Sequence, residues 1–249
     1  MRADLVVTRG DRRWVSVFAL TVAAMLLWAA SASAAVFSNP APIAVPGTGT
    51  SGQANPYPST IAVSGLTGAV TNVTATLTGF SHTFPSDVDI LLVGPSGQNV
   101  VLLADAGGGA PGVTNVNVTF DSSVAASVPN PIVSGTYRPT NLSAFSGTPP
   151  APAGPYGAAL TIFNGTVPNG TWSLFVFDDA GADTGTIAGG WSLDIVTNGP
   201  TVTSFAPATG PAGTQVVITG TNLTGATSVT FGGIPAAPCT VNSATQNTA

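Results

Sequence analysis

The chain contains no lysine and no glutamate, and its 249 residues include one histidine, one cysteine and two methionines. Each scarcity removes a class of chemistry. Four of the five basic residues lie before residue 14, and only Arg138 follows. The body of the protein therefore sets eight aspartates (Asp87, Asp89, Asp105, Asp121, Asp178, Asp179, Asp183 and Asp194) against a single cation. That balance argues against nucleic-acid binding, which needs Lys and Arg to neutralise phosphates. Cys239 stands alone, so no disulfide forms within the chain, and a small buried apolar role is expected of it. One His and one remote Cys cannot supply the three or four nitrogen and sulfur ligands that zinc prefers. No apolar stripe recurs at helical spacing, and no Gly-x-Ser-x-Gly elbow occurs.

Acidity here does not mean disorder, because the chain is rich in Val, Thr, Ile and Phe. Its first residues have another purpose. Arg2, Arg9, Arg12 and Arg13 precede an uncharged apolar run from Trp14 to Ala30, and Ala32-Ser33-Ala34 follows. A basic n-region, an apolar h-region and a small-residue cleavage site make a secretory signal peptide over 1–34. The run is at the short limit for a membrane span, and an uncleaved anchor is the alternative. A twin-arginine signal fits poorly, since Trp-Val-Ser-Val follows the arginine pair. The expected location is extracellular or at the cell surface, with no membrane span left after cleavage.

After residue 55 the pattern has a period of two. Val73, Ala75 and Leu77 alternate with Thr74, Thr76 and Thr78; Trp172, Leu174 and Val176 share one face, while Phe175 and Phe177 share the other. Trp191, Leu193 and Ile195 repeat the device. Alternation in β-branched and aromatic segments bounded by Gly, Pro, Asn and Asp is the strand signal. Pro95-Ser96-Gly97 marks a tight turn between "DILLV" and "NVVLLA". The fold class this predicts is all-β, a jelly-roll β-sandwich followed by an incomplete Ig-like β-sandwich. The Pro/Gly-rich stretches Ser38–Pro58 and Gly147–Gly157 read as loops. A break falls at Thr197-Asn198-Gly199-Pro200. The unit after it has only about 50 residues where an Ig-like sandwich needs about 100, so the chain is expected to end inside a domain.

Several widely spaced stretches carry a resemblance. "SHTFPSDVDILLVGPSG", "VTFDSS", "SGTYRPTN" and "NGTWSLFVFDDAGADTGTIAGGWSLDI" occur in this order over residues 60–197. Together they resemble the P domain (P/Homo B) that follows the catalytic domain in proprotein convertases and many bacterial subtilisin-like proteases. The resemblance implies a jelly roll and kinship with a protease-associated module. It does not imply protease activity, because nothing here is similar to the catalytic motifs of a subtilisin domain. "PTVTSFAPATGPAGTQVVITGTNL" is similar to the opening of an IPT/TIG domain, without that family's closing strands. The expected organisation is thus a signal peptide (1–34), an N-terminal lead-in segment (35–59), a P-type jelly roll (60–197) and the start of an IPT/TIG domain (198–249).

The residues that could carry chemistry are few. Asp87 and Asp89 open one strand, and Asp178, Asp179 and Asp183 lie in "FDDAGADTG". Calcium takes six to eight oxygen ligands, so one reading has a calcium ion bridging Asp87 to Asp178, Asp179 and Asp183. The other has these carboxylates capping turns by accepting backbone N–H groups. His82 precedes a strand within the shared motif and is expected to fix its loop through a hydrogen bond rather than to catalyse. Trp172 and Trp191 are expected in the core; a sugar-stacking platform would need them facing outward. Arg138 is expected to pair with an aspartate.

No catalytic residue is assigned. The expected function is a non-catalytic structural, adhesive or protein-binding module. Two alternatives stand: an accessory piece of a subtilisin-like serine protease whose catalytic domain is encoded elsewhere, or a carbohydrate-binding module recognising a cell-surface glycan.

Overall fold

A computed structural model describes residues 33–249 except 224, 225, 227, 228, 232, 233, 237–239 and 244. The expected signal peptide lies outside the described residues apart from Ser33 and Ala34, and Cys239 lies outside them too. The protein is all-β. Strands run in the order β1 (Ser33–Asn39), β2 (Ile43–Val45), β3 (Gly52–Gln53), β4 (Ser59–Val63), β5 (Ala69–His82), β6 (Val88–Val93), β7 (Asn99–Ala104), β8 (Val113–Phe120), β9 (Gly135–Tyr137), β10 (Thr140–Asn141), β11 (Gly170–Asp178), β12 (Gly185–Ile187) and β13 (Trp191–Asn198). Among the described residues no helix is long and apolar enough to cross a membrane.

Two sheets divide these strands. The first has the order β1-β13-β5-β12-β2, with β8 on the free edge of β5 and β9 beyond it. The second has the order β10-β7-β6-β11-β3, with β4 also on β11. Alternation decides which side chains meet between them. Val73, Ala75 and Leu77 of β5 and Trp191, Leu193 and Ile195 of β13 pack against Val88, Ile90 and Leu92 of β6 and Trp172, Leu174 and Val176 of β11. Both indoles are in the core and both N–H groups are satisfied there. Trp172 Nε1 donates to the Pro168 carbonyl at 2.9 Å, and Trp191 Nε1 donates to Ser59 Oγ at 2.9 Å.

The predicted turn after β6 is present. Gly97 N–H donates to Gly94 O at 3.0 Å, and Gly94 N–H to Gln98 O at 2.8 Å. Gly97 takes φ +89°, a conformation that closes a three-residue hairpin and favours glycine.

Two segments read as loops are more than that. Ser38–Pro58 contributes β2 and β3, and β1 pairs with β13 along its whole length, from Ser33↔Thr197 to Asn39↔Trp191. The lead-in is therefore part of the sandwich, and cleavage after Ala34 would leave Ala35–Asn39 of that strand. Gly147–Gly157 forms no long strand, but it does not simply skirt the surface. Ala151 and Tyr156, with Phe145 just before the loop, pack over Leu91, Val101 and Phe175 on the outer face of the second sheet. This cover explains why β6 is buried on both faces, which period two alone could not reveal.

Beyond Asn198, β14 (Thr201–Ala206), β15 (Val217–Thr221), β18 (Thr240–Ser243) and β19 (Gln246–Thr248) form one sheet in the order β14-β15-β19-β18, while β16 (Val229–Phe231) pairs with β17 (Ile234–Ala236).

Ser59 is 1% exposed and is the acceptor for the Trp191 indole. Ser59→Ala leaves that N–H buried without a partner and is expected to cost about 1–3 kcal/mol, read as a lower urea midpoint with unchanged slope. An unchanged midpoint would show that the indole has another acceptor.

Candidate functional site

Three neighbouring strands of the second sheet, β7, β6 and β11, bring acidic residues to one end of the sandwich. β6 is antiparallel to both neighbours, so its start lies beside their ends. Asp89 is the second residue of β6 and pairs with Phe177. Asp178 closes β11 with Asp179 next, and Asp105 follows β7 directly. Asp87 ends a short 3-10 turn (Pro85–Asp87) before β6, and its carbonyl accepts the Asp179 N–H at 2.9 Å.

Strand parity splits these carboxylates between two faces. Asp178 shares the inward parity of Trp172, Leu174 and Val176 and is 0% exposed. His82, at the end of β5 in the opposite sheet, is 2% exposed. Its Nε2 lies 3.1 Å from Asp178 Oδ2, and its Nδ1 lies 3.0 Å from the Phe84 carbonyl and 3.2 Å from the Phe84 N–H. The second Asp178 oxygen accepts the Ala180 N–H at 3.3 Å. Burial pushes the Asp178 carboxyl above its ordinary range, and the facing His82 only partly opposes this. The pair ties one sheet to the other and seals the end of the core.

A His–Asp contact is also half of a Ser-His-Asp relay, in which the other imidazole nitrogen meets a nucleophile's hydroxyl. Here that nitrogen meets the Phe84 backbone, and both side chains are shut from solvent. The arrangement holds a loop and offers no nucleophile.

Asp89 has the outward parity of Phe175 and Phe177 and is 0% exposed. Its Oδ2 accepts the Ser146 N–H at 2.7 Å, while Oδ1 has no hydrogen-bond partner among the described residues. Burial, with the negative charge of Asp179 adding to it, pushes its pKa up to about 6 against the pull of Ser146. Carboxylate oxygens of Asp89, Asp105 and Asp179 lie within 4.8 Å of one another. Asp105 is exposed and sits at φ +50°, a left-handed conformation that Asp tolerates better than most residues. Its carboxyl is raised by partial burial and then by Asp179. Ser146 Oγ donates to Asp179 Oδ2 at 3.2 Å.

The four carboxylates expected to share an ion are thus distributed differently. Asp178 is engaged by His82, and Asp183 accepts a hydrogen bond from Thr83 Oγ at 3.0 Å. Asp87 has a raised pKa, from burial first and then from Asp183, Asp178 and Asp179. Among the described residues, only Asp179 of the four belongs to the group whose oxygens converge. The sequence marks Asp89 as unusual but does not place Asp105 next to it. An aspartate inside the run "VDILLV" is a charge in a buried strand, but a count back from the Pro95 turn sets Leu103 opposite it, and it is the bulge between Ile90 and Leu91 that moves Ala104, hence Asp105, beside it. Arg138 also departs from expectation. It is exposed and donates from Nε to Ser127 Oγ at 2.9 Å, and the ion pair formed among the described residues is His82–Asp178. Trp172 and Trp191 are 0% and 1% exposed, so neither offers a sugar-stacking surface.

Comparison with known proteins bears on the far end of the chain. Residues 200–247 match the IPT/TIG domain family. Modules of this kind are non-catalytic β-sandwiches, and β14–β19 lie within or at the border of the match. No curated protein matches the chain. Solved structures with some likeness include the serine protease of Aeromonas sobria in complex with the chaperone ORF2, at 17% identity and a TM-score of 0.32, covering 67% of this chain and 27% of that one. The Aeromonas sobria serine protease alone gives 16% identity and a TM-score of 0.31, with the same coverage. The chain therefore spans about a quarter of those chains, and likeness at that level says nothing of activity.

His82→Ala removes one member of a buried pair and leaves the Asp178 carboxyl facing a cavity. The expected loss is about 3–5 kcal/mol, measured by denaturant unfolding. In a double-mutant cycle with Asp178→Ala, the two losses should be non-additive by about 1–3 kcal/mol; additive losses would mean that the two residues do not act as a pair.

Proposed function

We propose that the protein is an exported, non-catalytic β-sandwich module that acts outside the cell or at its surface as a structural or protein-binding unit. The observation that carries this reading is the state of the one histidine. It is buried, turned to Asp178 and the Phe84 backbone, and has no hydroxyl nucleophile on either nitrogen. The IPT/TIG match adds a module of a non-catalytic kind, and an acidic composition with a single cation beyond residue 34 fits a protein partner better than a nucleic acid.

A second reading follows from the sequence motifs over residues 60–197. Their resemblance to P domains supports an accessory role beside a subtilisin-like catalytic domain, which the module would stabilise by docking.

Two measurements test the primary reading. Expressed with its first residues in a bacterial host, the protein should appear in the exported fraction with Ala35 as its N-terminus; a chain retained in the membrane with Met1 intact would overturn export. The purified protein should not hydrolyse casein or p-nitrophenyl acetate above the buffer rate. Turnover that His82→Ala abolishes would make it an enzyme. For the second reading, a subtilisin-like catalytic domain lacking its own P domain should gain thermal half-life on mixing, and an unchanged half-life would remove that reading.

A further inference from the structure

Arg138 is the one cation beyond residue 34, yet it forms no ion pair among the described residues. An aspartate is close at hand. The Asp121 N–H donates at 2.8 Å to the carbonyl of Tyr137, the residue before Arg138. Its carboxylate accepts the Ser123 N–H at 2.8 Å instead of meeting the guanidinium. With eight aspartates in the body of the chain, an unpaired guanidinium calls for another use.

The arginine is held in place from several sides. Its N–H donates to Ala126 O at 2.8 Å, and its Nε donates to Ser127 Oγ at 2.9 Å. Thr140 Oγ donates to the Arg138 carbonyl at 2.9 Å and accepts the Val128 N–H at 3.0 Å. Three consecutive loop residues are thus stitched to Arg138 and Thr140, on either side of Pro139, and the proline restricts the Arg138 backbone to extended conformations. With Nε engaged, the end of the fork remains. Its two Nη groups make no hydrogen bond among the described residues, and their geometry matches the two oxygens of one carboxylate. Arg138 and Ser127 line a cleft of about 550 Å³ together with Val124, Ala125 and Leu142. Leu142 is 71% exposed, so the lone cation and an unpartnered apolar side chain share one cleft.

We propose that this cleft binds the C-terminal carboxylate of a partner protein that ends in an apolar residue. Arg138 takes the carboxylate through both Nη groups, the Ser127 hydroxyl adds a donor, and the last side chain packs on Leu142, Val124 and Ala125. Such a site rests on the reading of the chain as a protein-binding module and adds the partner's chemistry. One cation matches a monoanion, whereas a phosphate dianion would be half neutralised. An acidic sugar would find no aromatic ring in the cleft to stack on. A terminal residue brings carboxylate and side chain in together, whereas the side chains flanking an internal aspartate of an extended chain point to the opposite face.

The experiment measures fluorescence anisotropy of a fluorescein-labelled peptide ending in Ala-Leu with a free carboxylate, titrated with the purified exported chain. Saturable binding is expected, and the same peptide as its C-terminal amide should bind about 10- to 100-fold more weakly. Arg138→Gln should cause a loss of the same size, and Arg138→Lys, which keeps the charge without the fork, should recover only part of it. Leu142→Ser should weaken binding about 3- to 10-fold. Arg138 and Leu142 are exposed, so these variants should fold, and the comparison of acid with amide needs no variant at all. Equal affinity for the two peptides would overturn the carboxylate site, and affinity unchanged in Arg138→Gln would place binding elsewhere. Displacement by glucuronate or inorganic phosphate as effective as by unlabelled peptide would assign the cleft to a sugar or a free anion. Equally tight binding of a peptide capped at both ends with an internal aspartate would overturn the choice of a terminus. A chain that binds no peptide and leaves casein intact loses this site but remains a non-catalytic module; hydrolysis of casein would sink the module reading whatever the peptide does.

Discussion

Scarcity of positive charge governs this protein. With Arg138 as the one cation beyond residue 34, aspartates that the fold draws inward cannot be neutralised by ordinary ion pairs. They are met instead by imidazole, hydroxyl and backbone N–H groups. Asp178 faces His82, Asp183 faces the Thr83 hydroxyl, and Asp121 accepts the Ser123 N–H at 2.8 Å. The buried pair His82–Asp178 matters most, because its members come from opposite sheets and close the end of the core that the strands open. Removing either leaves an uncompensated polar group where no water reaches, which costs more than the pair itself contributes.

The two sheets owe their contact to alternation, yet their outer faces are treated unequally. The second sheet has strands whose outward residues, Leu91, Val101 and Phe175, are as buried as their inward ones. Its cover is a proline-rich segment with little regular structure. Such a segment stays in place through a few contacts: the Tyr57 hydroxyl donating to the Thr148 carbonyl at 2.9 Å, the Phe145–Tyr156 pair, and the bonds of Ser146 to the acidic end. Stability of that cover and electrostatics of the carboxylates are therefore linked through one residue.

Function follows from how polar groups are spent. The single imidazole is used for architecture, both tryptophans are interior, and the far end matches a family of non-catalytic modules. What remains available to a partner is a weakly charged surface in which Asp105 and Asp179 are the exposed aspartates. That surface supports the proposed reading of a module that is docked against or built upon.

The class of fold follows from the order of residues alone, because period-two runs such as Val73-Ala75-Leu77 and Trp172-Leu174-Val176 admit one buried face and no helix. That order also determined the hairpin at Pro95–Gly97, which depends only on local backbone preferences, and the interior place of Trp172 and Trp191. Tertiary structure alone decided which acidic residues share a site. Asp89, Asp105 and Asp179 are brought together by the bulge that shifts β7 against β6 and by the pairing of β6 with β11, which lies far along the chain. Parity, not sequence proximity, separated Asp178 from Asp179 and gave the first to His82. The burial of both faces of β6 likewise required the proline-rich segment to fold back on it, and no local signal in "GTPPAPAGPYG" says which surface it will cover.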